Sequence, residues 1–458
     1  MSKSKKNRRK EQVEQQTRTS RRNFLAFGLG GLGTLAIAGA AGYKAGWFTS
    51  STSTSSIPSS PTPSALDAAT PNQLPPATLP ADYPNALRAA DEFVRHYARE
   101  LKTPSAMIHA VRAFGRNFTL ADGVKAVDLL CSRYAAEKEV NGKRYVYFPR
   151  EFEVHDNSFL KTMLEAGVSL DQPITAGANQ YTLRSLGESA KALFRCDPQN
   201  LQRYDHSLVQ QHLPWCLIAF SILSRPSQPA WVNAYGETIN LPEVINRGLA
   251  VYEGVCVGVK EGLAQGEMET LEFRQQISKY SCFGMHMFYG FFACLKNGYR
   301  NDNLPKRLDQ MTDSLIYRLK GDSLAIDREA DAAKEMGPEF ASRLAIEGQG
   351  GKIVTKGSPP PNLLEVMRYR SQIRMLGHAV EAINFGLLHK LFTLTPDQKK
   401  QVREGEQLLY DYLVKLRATD LAPYLRWYPK FVSDITIAVA HASRAMKLLT
   451  PDNPDTIA

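Results

Sequence analysis

The chain is predicted to be all-α, a succession of helical hairpins, on three observations. Apolar residues recur at three- and four-residue spacing through almost all of residues 84–450, the period of a helix with one buried face. Strand-like signal is confined to two short stretches. Six helix-like stretches are apolar nearly all round and alternate with amphipathic ones, so each hairpin has one member that must be buried and one that can face water.

In chain order, "YPNALRAADEFVRHYARELK" is amphipathic, and "SAMIHAVRAFG" after it is apolar. "TLADGVKAVDLLCSRYAAEKEV" reads as a second amphipathic helix. "KEVNGKRYVYF" reads as a hairpin turning at Asn141-Gly142, the strongest short turn signal. "NSFLKTMLEAGVSL" is buried, "TLRSLGESAKALF" amphipathic and "SLVQQHLPWCLIAFSIL" buried. A second short strand excursion, "WVNAYGETI", precedes the amphipathic "LPEVINRGLAVYEGVCVGVKEGLA". "YSCFGMHMFYGFFACL" and "IRMLGHAVEAINFGLLHKLF" are buried. Between them "EGQGGKIVTKGSPPPN", residues 347–362, has Gly without a preceding strand and Pro after it, which makes it a loop that could cover one end of the fold. "TPDQKKQVREGEQLLYDYLVKL" opens with Thr395 as cap and Pro396 in the first turn, the usual helix start. "ITIAVAHASRAMKLL" closes the series as the sixth buried stretch.

The first 83 residues are of another kind. Residues 1–22 hold nine Lys or Arg against Glu11 and Glu14, and Asn23 to Tyr43 is uncharged. A basic start, an apolar middle and the small residues Ala38-Gly39-Ala40 make an export signal. Ser20-Arg21-Arg22-Asn23-Phe24-Leu25 resembles the twin-arginine signal, Ser/Thr-Arg-Arg-x-Phe-Leu, with Ala26 where a Lys often follows. That resemblance implies a bacterial passenger exported already folded, with the twin-arginine export machinery as its partner and Arg21, Arg22, Phe24 and Leu25 as the residues read. Two outcomes stay open: cleavage, or retention of residues 1–43 as a single anchor, since 21 uncharged residues can just span about 30 Å of bilayer. Either places the protein in the periplasm or on the outer face of the inner membrane. Residues 44–83 form a Ser/Thr/Pro-rich spacer with nothing to bury. The helical domain covers 84–450, and 451–458 reads as a tail.

The formal charge of +10 misleads, because residues 1–22 contribute +7 of it (nine basic less two acidic) and leave +3 for the rest. A nucleic-acid partner is therefore not indicated. Six Cys, at 131, 196, 216, 256, 282 and 294, form no disulfide framework, and five of them lie in apolar helical stretches. Buried free thiols are the expectation.

Six buried helices alternating with amphipathic ones look like an α/α toroid, the closed ring of six hairpins shared by several glycoside hydrolases, polysaccharide lyases, terpene cyclases and lanthionine cyclases. The resemblance spans about 84–450 and is one of pattern. It implies an active site in the central cavity or at the helix ends around it. His109, His212, His286, His378 and His441 share a register in the buried helices: each is followed at i+4 by a small residue (Ala113, Cys216, Gly290, Ala382, Ala445) and at i+3 by Arg112, Trp215, Tyr289, Glu381 or Arg444. Residues i, i+3 and i+4 share a helix face, and in a toroid that face looks inward.

The expectation is thus a glycan-directed hydrolase or lyase. His212, His286, His378, Glu381 and Asp205 are its catalytic candidates, and Trp215, Tyr289, Arg112 and Arg444 its substrate contacts. Burial would raise the Glu381 carboxyl and suit it to acid or base work, unless it pairs with an arginine such as Arg374. Asp205, next to His206 at a helix start, is equally readable as a cap. No cofactor is required, although Cys282 and His286, one turn apart, could hold zinc with Cys216 as a third ligand. The departure from lanthionine cyclases is clear, since their Cys and His are adjacent in sequence. The competing expectation is a non-catalytic helical binding or scaffold protein of the envelope, its histidines serving as packing. No Gly-x-Ser-x-Gly, phosphate loop, Cys-x-x-Cys or Asp-rich terpene motif occurs.

Overall fold

The computed structural model describes residues 82–205, 208–265, 271–335 and 358–455. The export motif, the apolar run, the spacer up to residue 81, His206 and residues 347–357 of the expected loop lie outside the described residues, and Tyr83, expected to end the spacer, is instead the buried first residue of a helix. Among the described residues the protein is mostly helical, and no helix is long and apolar enough to cross a membrane.

The elements in order are α1 (Tyr83–Leu101), α2 (Pro104–Phe114), α3 (Ala126–Arg133), β1 (Ala136–Val140), β2 (Lys143–Tyr147), α4 (Arg150–Glu153) and α5 (Ser158–Glu165). Then come β3 (Pro173–Ala176), β4 (Asn179–Thr182), α6 (Leu183–Leu193), α7 (Leu213–Leu223), β5 (Ala230–Val232), β6 (Thr238–Asn240), α8 (Leu241–Gln265) and α9 (Leu271–Ile277). The last are α10 (Met285–Lys296), α11 (Leu304–Glu335), α12 (Leu363–Leu388), α13 (Pro396–Arg417), α14 (Ala422–Trp427) and α15 (Pro429–Lys447).

Both expected hairpins are present: β1–β2 turns at Asn141-Gly142, and β5–β6 pairs Ala230 with Asn240. A third, β3–β4, was not read from the sequence; its turn is built on Gly177 at φ 59°. The stretch from Thr119 to Val140 is not one helix, because α3 ends at Arg133 and Ala136 already pairs with Tyr147. At Thr395 the expected cap is a full capping box, with the Thr395 hydroxyl accepting from the Gln398 N–H and the Gln398 side chain accepting from the Thr395 N–H.

The six stretches that lack a polar face become α2, α5, α7, α10, α12 and α15. All eight residues of α5 and all of α10 except its final Lys296 are buried. Each of the six packs on the next: α2 on α5, α5 on α7, α7 on α10, α10 on α12, α12 on α15, and α15 back on α2. The amphipathic helices α1, α3, α6, α8, α11 and α13 each pack against one or more of these. A single hydrophobic cluster runs from Tyr83 to Leu448.

Small residues in the buried helices, of which Gly290 belongs to the histidine register, mark where these helices approach. A Cβ on Gly290 of α10 would stand 3.2 Å from Pro214 Cα of α7, and one on Gly377 of α12 would stand 3.1 Å from the Ala442 nitrogen of α15. These contacts draw the flanking histidines together.

Candidate functional site

Inside the six helices the histidines form a continuous aromatic layer. His378 and His441 stack with ring centroids 3.8 Å apart, and His286 meets His378 at 4.5 Å and His441 at 5.2 Å. His109 lies 5.2 Å from His441. Trp215 is 4.4 Å from His286 and stacks on His155 at 3.9 Å, and His155 lies 6.2 Å from His212. The structure therefore brings the five register histidines into one connected group, with His155 and Trp215 completing it. They touch ring to ring, and His286, His378 and His441 are 2–4% exposed, so they do not line an open cavity. Burial holds the His109 imidazole down to about 3. Burial and the neighbouring rings hold His286 and His441 well below the ordinary histidine range.

Beyond this layer lies a buried ion network. Glu381 accepts from Arg112 Nε at 2.9 Å, Arg444 Nη1 at 2.8 Å and His441 Nδ1 at 2.8 Å. Glu165 accepts from Arg112, from Lys161 Nζ at 2.8 Å and from the Tyr289 hydroxyl at 2.6 Å. Arg444 also donates to the Tyr289 oxygen at 2.8 Å and to both oxygens of Asp455. Three cations thus face three carboxylates. Glu381 corrects the expectation drawn for it. Burial alone pushes its carboxyl up, but Arg112, His441 and Arg444 outweigh burial and hold it well below the carboxylate range. Its partner is not Arg374. Arg112, Arg444 and Tyr289, expected to touch substrate, are all bonded to these carboxylates, and Arg444 to Tyr289 as well.

Lys161, Glu165 and Asp455 were missed by sequence reading. A signal existed for the first two, a Lys and a Glu one turn apart on a helix with no polar face; Asp455 lies in what reads as a tail. Burial and Arg112 bring Lys161 down to about 8, while Arg112, Lys161 and Arg444 overcome burial to hold Glu165 at about 2. A cavity of about 20 Å³ between Glu165, His389 and Asp455 has room for about one water.

At the other end the histidine layer meets a half-exposed polar group. Arg150 donates to Asp156 at 2.7 and 2.8 Å and to Asp205 Oδ2 at 2.7 Å. His212 lies between the two carboxylates, with Nδ1 3.7 Å from Asp156 and Nε2 3.8 Å from Asp205. Its Nδ1 accepts the Asp156 backbone N–H at 3.1 Å, which fixes the neutral tautomer with the proton on Nε2. Burial keeps His212 below its ordinary value and hence neutral. The turn of π-helix over Leu208–His212 that ends on His212 is a local irregularity frequent at functional sites.

Cys282 sits on unusual backbone. Cys282, Phe283 and Gly284, in the 3₁₀ turn before α10, have φ of 51°, 57° and 71°. Two successive non-glycine residues in this region cost about 1–3 kcal/mol each. The turn is held from outside: the Tyr252 hydroxyl donates to the Gly284 carbonyl at 2.9 Å, and Arg318 donates to the Phe283 carbonyl at 2.6 Å. Arg318 is itself fixed by Asp322 at 2.6 Å, and Asp322 by Arg274 at 3.1 Å. A Cβ on Gly284 would collide with Tyr252 and Ile277 at 2.7 and 2.8 Å. Arg374 donates Nε and Nη2 to Cys282 Sγ, both at 3.4 Å. Burial raises the thiol, but Arg374 and His378 outweigh it and bring Cys282 down to about 6.

Cys282, His286 and His378 place one ligand atom each within 4.8 Å of one another. Cys216 is not the third member; its sulfur accepts from Asn157 Nδ2 at 3.2 Å. The six cysteines are free and buried, as expected. A surface cleft of about 430 Å³, walled by Asp91, Arg95, Arg116 and Lys447, contains none of the histidines. No family model, curated protein or solved structure matches the chain.

Proposed function

We propose that the chain is an exported enzyme on an α/α-toroid scaffold, a glycan-directed hydrolase or lyase that works where Arg150, Asp156, Asp205 and His212 meet. The closed succession of contacts among α2, α5, α7, α10, α12 and α15 supports the toroid. One observation carries the activity. A neutral His212 is held in one tautomer with Nε2–H directed at Asp205, while Asp156 and Asp205 stay 37% and 27% exposed. In this reading Asp205 takes a proton from water or from the sugar ring and returns it to the leaving oxygen, the neutral His212 donates its Nε2–H as a hydrogen bond to the oxygen on which charge develops, and Arg150 orients the carboxylates. Trp215 and His155 form the apolar floor behind them.

The test is product release from purified peptidoglycan sacculi and from a panel of neutral and acidic polysaccharides, followed by mass spectrometry. His212→Ala and Asp205→Asn are expected to lower turnover by about 100-fold or more, and the partly exposed Asp205→Asn is expected to do so with the thermal midpoint nearly unmoved. Turnover by the wild type on none of these, or equal turnover by both variants, rejects the reading. The alternative, an envelope scaffold, is favoured by the internal pairing of Arg112, Arg444, Glu165 and Glu381.

For export, Arg21→Lys with Arg22→Lys is expected to leave the protein in the cytoplasm, because the receptor reads the guanidinium pair. Unchanged periplasmic yield would count against this route, and a product of full mass in the membrane fraction would favour the anchor over cleavage.

A further inference from the structure

We propose that Cys282, His286 and His378 bind one zinc ion, beside the Ser281 hydroxyl, which lies 3.7 Å from the Cys282 sulfur and 3.2 Å from His155 Nε2. This goes beyond the glycan reading and does not depend on it. The donor set is one that zinc prefers, a thiolate with two imidazoles, and three protein ligands are the number typical of an open, reactive site. The three ligand atoms lie within 4.8 Å of one another, against about 3.5 Å between ligands around a tetrahedral ion. Side-chain rotation of about an ångström closes that difference.

Two further observations point to a ligand at this place. His378 Nδ1 meets its own helix at the Arg374 carbonyl, 2.5 Å away, which leaves Nε2 as the coordinating atom. That Nε2 is buried with no partner at full hydrogen-bond distance and faces the Cys282 sulfur, its near polar neighbour, an under-satisfied state that a shared metal ion would relieve. The second is the supporting frame. Left-handed geometry at Cys282 and Phe283, clamped by Tyr252 and by the buried Arg318–Asp322–Arg274 chain, fixes the thiol one turn before His286. Partners behind the ligands that hold them in orientation are a regular part of metal sites. Arg374 fits the same scheme, since its two N–H groups reach sulfur at 3.4 Å, as donors to a metal-bound thiolate do.

A second triad, Asp156, Asp205 and His212, is equally compact but does not carry the same inference. There Arg150 bridges two of the three ligands, taking both oxygens of Asp156 and one of Asp205 at 2.7–2.8 Å, and so occupies the place between them, whereas the Arg374 guanidinium reaches only Cys282. His212 Nδ1 is engaged as well.

The experiment is titration of the chelator-treated, full-length protein with Co²⁺, followed by absorbance, with Zn²⁺ as competitor. One equivalent is expected to bind, giving a sulfur-to-cobalt charge-transfer band in the near ultraviolet that Zn²⁺ abolishes. Cys282→Ser is expected to remove the band, and His378→Gln to keep it while weakening affinity by more than the 10–100-fold typical of a partner behind the ligands. Cys216→Ser is expected to change neither. X-ray absorption at the zinc edge of the wild type, showing one sulfur and two imidazole nitrogens, decides the matter even where a variant fails to fold. Absence of binding, binding without the charge-transfer band, or a band that survives Cys282→Ser overturns the proposal. Because no glycan enters the experiment, its failure leaves the proposed activity at His212 standing.

Discussion

Glu381→Gln is expected to lower the free energy of unfolding by about 3–5 kcal/mol, the usual result of breaking one side of a buried ion pair. The Glu381 side chain is 1% exposed and receives Arg112, Arg444 and His441 at once. With the charge gone, Arg112, Arg444 and Lys161 face only Glu165 and Asp455, and the excess positive charge has no water to solvate it. Gln keeps the volume, so the loss is electrostatic rather than a cavity. Urea denaturation of the variant measures it. Arg150→Ala serves as the comparison, because Arg150 is 55% exposed and a pair of that kind contributes about 0–1 kcal/mol. A Glu381→Gln protein as stable as the wild type but without activity would return Glu381 to the catalytic list.

The second large effect is acid lability that begins well above the carboxylate range. His109 is held at about 3 by burial, and burial and His378 keep His441 well below the ordinary value. An unfolded histidine takes its proton near 6.5. Between those limits the unfolded chain binds protons that the folded chain refuses, so stability falls as the pH falls. The stability is complete above about 6.5 and declines by about 1.4 kcal/mol per pH unit for each such histidine. From pH 7 to pH 5 His109 alone removes about 2 kcal/mol, and His441 adds to the loss in the same direction. Below about 4.5 the depressed carboxylates Glu165 and Glu381 add to the loss in the same direction. Urea midpoints of metal-free protein at pH 7, 6, 5 and 4 test this. A flat profile from 7 to 5 would mean that these rings are solvated and free to charge.

Much of the architecture was legible because burial writes itself into composition. A helix enclosed on every side can have no polar stripe, so "YSCFGMHMFYGFFACL" and its five counterparts announced themselves. The histidine register was legible in part for a related reason. Gly290, four residues after His286, stands against Pro214, while the Gly377–Ala442 approach beside His378 and His441 is made by residues outside the register. What could not be read was pairing across long separations. Arg112 reaches Glu381 over 269 positions and Arg444 reaches Tyr289 over 155, and no local pattern says which buried cation meets which carboxylate. That is why Glu381 looked like an acid with a raised pKa and is an anion with three donors. The Cys282 turn was hidden for another reason: left-handed φ at Cys282 and Phe283 is imposed by Tyr252 and Arg318 from outside and contradicts local preference.

The return of α15 to α1 and α2 bears on how the protein is made. The Tyr83 hydroxyl donates to the Met446 carbonyl, Ser443 to Asp91, and Lys447 to the Ala113 carbonyl, across 363, 352 and 334 positions. Contacts at such separation form late, because chain entropy must be surrendered before they give anything back. During synthesis the helices from α1 onward therefore leave the ribosome with one flank of each hydrophobic seam open, and α2 keeps Arg112 without Glu381 until more than half the chain has followed. The seam between α2 and α15 is the last to form. A chaperone that recognises exposed apolar helix faces has the whole interval of translation to act on this nascent chain, and a truncated product lacking residues 429–455 would present that open seam permanently.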